Sequence, residues 1–83
     1  MIKIYSTSWW GPCIATKRML DDMRVPYENI DIEEKNISRD DLEKITGGNT
    51  VPQIIINGKS IGGFNELLQL IQSDGLKEMI DND

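Results

Sequence analysis

Ser8-Trp9-Trp10-Gly11-Pro12-Cys13 is the stretch on which the reading of this chain turns. It follows a short alternating strand, Ile2-Lys3-Ile4-Tyr5, and opens a helix expected from Gly11 to about Arg24. Proline is tolerated in a first helical turn, where its missing N–H would be unpaired anyway. A thiol in that turn meets unpaired N–H groups and the positive end of the helix dipole, which favour a thiolate. The placement points to redox chemistry. Against it, Cys13 is the only cysteine, and three residues before it stands Trp10.

Working outward, Thr16, Leu20 and Met23 follow Cys13 at helical spacing with Met19 beside them, a stripe expected to be buried. Two readings of Cys13 therefore stand: a reactive thiol, or a buried and inert core residue. Thr7 or Ser8 is expected to cap this helix, and Pro26 to end it. Tyr27 to Ile32 alternates as a second strand. Strand, crossover helix and strand form a unit whose two strands are parallel. Ser38 and Asp41 resemble a capping box for a helix over 39–46 that buries Leu42 and Ile45 and stops at Gly47-Gly48. Gln53-Ile54-Ile55-Ile56, the turn Asn57-Gly58 and Lys59-Ser60-Ile61 read as a hairpin. Asn65 is the expected N-cap of a last helix carrying Leu67, Leu68, Leu70 and Ile71. Asp74-Gly75 breaks it, a short helical stretch follows over Leu76–Ile80, and Asp81-Asn82-Asp83 is expected to fray.

The expected order is β-α-β-α-β-β-α with a C-terminal extension. It makes an α/β fold: a four-stranded mixed sheet with helices on both faces. Eighty-three residues suit a single domain over 1–83. A chain this small buries only roughly 60% of its unfolded surface. A lone cysteine makes no internal disulfide, which argues for a reducing, cytoplasmic compartment. No signal peptide is expected from Met1–Tyr5, and no apolar run suits a membrane. The net charge of −5 speaks against nucleic acid. The absence of histidine removes any Cys-His pair and any histidine metal site, and no metal is expected.

These features resemble the glutaredoxin branch of the thioredoxin superfamily. Ile4-Tyr5-Ser6-Thr7 sits where glutaredoxins have a strand ending in tyrosine. Trp9-Trp10-Gly11-Pro12-Cys13 is similar to the Trp-Cys-Gly-Pro-Cys active site, with tryptophan at the first cysteine. Thr50-Val51-Pro52 matches the Thr-Val-Pro element whose proline is cis, and Gly62-Gly63-Phe64-Asn65 resembles the Gly-Gly-Cys-Asp segment. The resemblance implies thiol–disulfide exchange and electron transfer with glutathione as co-substrate, protein disulfides as further partners, and a monomer. It implies glutathione binding at Thr50, Val51, Pro52, Gly63, Phe64 and Asn65: the Val51 main chain meets the cysteinyl backbone, and Gly63 and Asn65 meet the γ-glutamyl end. Trp10 occupies the nucleophile's place and leaves Cys13 as the remaining catalytic candidate. Thr7 stands where many members carry a glutathione-binding lysine. Three readings follow: an oxidoreductase with weak chemistry through Cys13, a non-catalytic glutathione- or protein-binding module, or a substituted variant of an active enzyme.

Overall fold

The structure, a computed structural model, describes residues 1–81. In chain order the elements are β1 (Ile2–Ser6), α1 (Gly11–Asp22), β2 (Glu28–Asp31), α2 (Arg39–Thr46), β3 (Gln53–Ile56), β4 (Lys59–Gly62), α3 (Phe64–Gln72) and α4 (Gly75–Asp81). The strands form one mixed sheet in the order β2-β1-β3-β4. β1 runs parallel to β2 and antiparallel to β3, with Tyr5 opposite both Ile30 and Gln53. No helix among the described residues is long and apolar enough to cross a membrane.

The period-2 pattern of β1 and β3 decides the layers. Ile2, Ile4, Ile54 and Ile56 point to one face, where they pack with Leu20 of α1, Leu67 of α3 and Leu76 of α4. The other face carries a smaller core of Cys13, Ile32, Leu42 and Val51, closed by Tyr5 and Ile37. Leu42 brings α2 to this side, so helices cover both faces. Asn57 and Gly58 both have positive φ, 51° and 83°, as a two-residue type I′ hairpin requires. The same Asn57 also ties down distant chain. Its Oδ1 accepts from the Met1 ammonium at 2.6 Å, and its Nδ2 donates to the Met79 carbonyl at 2.8 Å. The edge strand β4 is short, starts with Lys59 and carries a bulge near Ile61, three features that oppose pairing with another chain.

Several boundaries differ from the sequence expectation. α1 ends at Asp22, before Pro26, because Arg24 adopts a left-handed conformation with φ 59°. The Arg24 N–H donates to Asp21 O and the Val25 N–H to Leu20 O, a Schellman turn in which Val25 and Leu20 share the core. Met23 is thereby turned out of the helix stripe and is 44% exposed. Just beyond, burial and a hydrogen bond to the Asp21 side chain raise the Tyr27 hydroxyl above its ordinary pKa. In α2 the capping box is present, with the Asp41 N–H donating to Ser38 Oγ at 3.0 Å. Ile45, however, is 48% exposed, and Thr46 is buried in its stead. The Thr46 hydroxyl can enter the core because it donates to the Leu42 carbonyl at 2.8 Å.

The N-cap of α3 is Gly63, not Asn65, which lies exposed in the first turn. Glu66 reaches back to accept the Gly63 N–H at 2.7 Å. Of the expected frayed tail, Asp81 closes α4, and Asn82 and Asp83 lie outside the described residues. Arg24, just past α1, holds an αL conformation with a β-carbon, as Asp74 does past α3, at a cost of about 1 kcal/mol. Arg24→Gly should stabilise the fold by about that amount, read as a raised urea midpoint with an unchanged m-value.

Candidate functional site

The C-terminal end of β1 delivers the chain to α1 through Thr7, Ser8, Trp9 and Trp10. Neither Thr7 nor Ser8 caps the helix. Thr7 is fully buried, and its Oγ1 has no hydrogen-bond partner among the described residues. The N-cap is Trp10 in an extended conformation, and its carbonyl accepts the Cys13 and Ile14 N–H groups at 3.0 Å each. Cys13 is thus the third residue of α1, pointing inward at 0% exposure among Ile32, Leu42 and Val51. Of the two readings left by the sequence, the packing realises the buried one. The sulfur has no surface that a disulfide could approach.

The two tryptophans point outward. Trp9 is 60% and Trp10 45% exposed, and their rings meet edge to face with centroids 6.2 Å apart. Trp9 is fixed further by its Nε1–H, which donates to Glu33 Oε1 at 2.9 Å. Trp9, Trp10, Arg39, Thr50 and Val51 line a groove of about 240 Å³. Its far wall is the loop before β3. The buried Gln53 amide holds that loop, donating to Thr50 O at 2.9 Å, and a side chain at Gly48 would collide with it, a Cβ there lying 2.6 Å from Gln53 Nε2.

Val51 precedes a cis peptide bond to Pro52. The β1–β3 ladder ends at Tyr5 and Gln53, so the Val51 main chain stands beyond the sheet, beside the groove. An extended ligand backbone can pair with such a segment. Arg39, the first residue of α2, supplies the groove's one positive charge among its lining residues, and its Nη1 donates to the Asn49 carbonyl at 3.2 Å.

Of the residues singled out in the sequence, Trp10, Thr50 and Val51 therefore meet in one groove. Pro52 is buried beside it. Gly63 comes close to this loop, since a Cβ there would lie 3.2 Å from the Pro52 carbonyl. Phe64 and Asn65 follow at the start of α3, but none of these three lines the groove. Cys13 contacts Val51 from the core side only. Sequence reasoning missed Arg39 and Gln53. No local pattern marks them, because their roles arise from the fold that sets α2 and β3 against the Trp10 turn.

The strand order, a helix opening on Trp-Gly-Pro-Cys and a cis proline beside it define a thioredoxin-like fold. The comparisons narrow this class. The glutaredoxin family model matches residues 2–61. Glutaredoxin-1 of monkeypox virus and of vaccinia virus (strain Copenhagen) are each 43% identical to the chain over 60 residues, covering 69% of this chain and 56% of theirs. The buckwheat glutaredoxin–glutathione complex superposes with a TM-score of 0.87 at 26% identity, over 98% of this chain and 76% of that one. The holo form of glutaredoxin C1 from Populus tremula x tremuloides gives 0.85 at 26%, over 98% and 83%. The chain belongs to the glutaredoxin family. It spans about half the length of the curated relatives it matches, and the family match stops before Gly63.

The burial of Cys13 sets an expected outcome. The native protein incubated with oxidised glutathione should gain no glutathionyl mass, and its thiol should titrate only after denaturation. Cys13→Ser is the blank. An adduct on the native protein would show that the sulfur reaches solvent.

Proposed function

We propose that this chain binds glutathione in the groove between Trp10, Arg39 and Val51, in the service of glutathione-linked thiol redox. In this reading the Val51 main chain pairs with the cysteinyl backbone of glutathione as an added strand. Arg39 meets the glycyl carboxylate. The buried Thr7 cannot offer the cation that a lysine at its place would, and Arg39 takes over that task. The γ-glutamyl carboxylate turns toward the start of α3. There the Gly63 N–H is taken by Glu66, which leaves the N–H groups of Phe64 and Asn65. The observation that carries the reading is the coincidence, in one groove, of an open main-chain segment at Val51 and a cation at Arg39. The family membership supports it, as does the neighbour whose structure is a glutathione complex.

Binding is the part of the activity this chain retains. Thiol–disulfide exchange needs a thiolate to attack a disulfide sulfur, and the Trp10 indole has none to offer. With Cys13 buried, the resting protein is a glutathione-binding module on an oxidoreductase scaffold. We place it in a reducing, cytoplasmic setting with glutathione as its small-molecule partner.

Reduced glutathione titrated into the 15N-labelled protein should shift the Val51 amide and the Trp10 indole N–H. Cys13→Ser should leave that binding unchanged. Arg39→Ala removes an exposed ion pair worth up to about 1 kcal/mol, so it should weaken binding by up to about fivefold. Absence of any shift at Val51 and Trp10 would overturn the reading.

Trp10→Cys tests the redox half. The introduced thiolate would attack the glutathionyl sulfur of a mixed disulfide, and the substrate would leave as a thiolate that takes a proton from water. A second glutathione thiolate would then release glutathione disulfide. This variant should reduce a glutathionylated peptide with multiple turnovers where the parent chain gives none. A folded, glutathione-binding variant without turnover would count against an oxidoreductase scaffold.

A further inference from the structure

The two indoles at the groove offer more surface than a glutathione thiol can cover. Trp9 and Trp10 are 60% and 45% exposed, and both line the groove beside Thr50 and Val51. Their rings stand at 70° to one another with centroids 6.2 Å apart, so together they form an aromatic corner. The hydrogen bond from Trp9 Nε1–H to Glu33 Oε1, at 2.9 Å, holds one side of that corner in place. A corner fixed before a ligand arrives loses little freedom when the ligand binds. Exposed aromatic area lining a groove with a few polar groups is where an apolar part of a ligand is taken up.

The other lining residues decide which part of the ligand meets this corner. On the glutathione reading above, on which this step rests, Val51 takes the cysteinyl main chain and Arg39 takes the glycyl carboxylate. The γ-glutamyl end turns toward α3. The cysteinyl sulfur is then the group left for the indoles. An indole offers neither a nucleophile nor a base; it offers apolar surface and a sulfur–aromatic contact. A bare thiol sets a single atom against two rings and leaves most of their area in water. A polar or anionic group on the sulfur gains little there, since Arg39 is the one cation among the groove's lining residues and the chain carries −5 overall. An alkyl or aryl group on the sulfur fills the corner.

We infer that the groove selects S-substituted glutathione, a thioether bearing an apolar alkyl or aryl group, over glutathione itself. The conjugate is taken up as a ligand: its carbon–sulfur bond is neither made nor broken, and no electrons move. The tryptophan that removes exchange chemistry from the site thus sets the class of ligand the site holds. Trp9 is the second wall of that pocket, and Glu33 is a positioning residue that acts through it. Each methylene buried against the indoles strengthens binding about fourfold, so two of them give more than about tenfold.

Calorimetric titration of the full chain with reduced glutathione, S-methylglutathione and S-hexylglutathione tests this. Affinity should rise in that order, with S-hexylglutathione bound more than about tenfold tighter than glutathione. Indole emission should shift to the blue as the substituent covers the rings. Trp9→Ala should cut the ratio of the two affinities to about twofold or less, because most of the apolar contact is gone. Glu33 is exposed, so Glu33→Ala spares the core while it loosens Trp9, and should lower the ratio part of the way. S-hexylcysteine keeps the alkyl chain without the glycyl and γ-glutamyl groups and should bind far more weakly than S-hexylglutathione. Glutathione bound as tightly as its S-hexyl derivative, or a ratio unchanged in Trp9→Ala, overturns the inference and leaves the glutathione reading standing. S-hexylcysteine bound as well as S-hexylglutathione overturns it as unspecific apolar uptake. Binding of none of the three glutathione ligands overturns the glutathione reading and this inference with it.

Discussion

Val51 faces two ways, and the site depends on it. Its side chain closes the smaller core against Cys13, Ile32 and Leu42. Its main chain stands past the end of the β1–β3 ladder, at the wall of the groove. One residue thus fixes the depth of the thiol and the position of the open backbone together. Filling the space behind Val51 with Cys13 keeps the groove wall in place and takes the sulfur away from it. Cys13 packs in the core at 0% exposure, while Trp10, at the N-cap of the same helix, is 45% exposed.

The elements could be read from sequence where local chemistry and tertiary packing agree. Asn57-Gly58 specified its turn because both residues tolerate positive φ. Ser38 and Asp41 specified the start of α2 because the capping bonds are local. The alternation of Ile2 and Ile4 placed β1, and the resemblance pointed to the cis bond before Pro52 and to Thr50 and Val51, which line the Trp10 groove. Met23 and Ile45 mark where the reading failed. Periodicity says which residues share a stripe, but not where the stripe stops. A Schellman turn at a non-glycine residue ended α1 early and swung Met23 outward. Thr46 displaced Ile45 because a threonine hydroxyl can satisfy itself on its own helix. Gly63 displaced Asn65 as the cap because Glu66, three residues on, could reach the glycine N–H.

The groove itself was less legible. Trp10 was flagged by what it replaces, but the partners that make it one wall of a site come from other elements. Arg39 lies 29 positions further along the chain and enters by way of the α2 capping box. Gln53 works from beneath, through a buried amide that holds the Thr50 loop. Such roles belong to the assembled fold.

The hairpin turn at Asn57 has a consequence for how the protein comes apart. A single side chain there holds the first residue of the chain and the carbonyl of Met79 in the last helix. The first residue, the β3–β4 turn and α4 are therefore joined at one point on the surface, and removing the Asn57 side chain would release two distant segments with a single change.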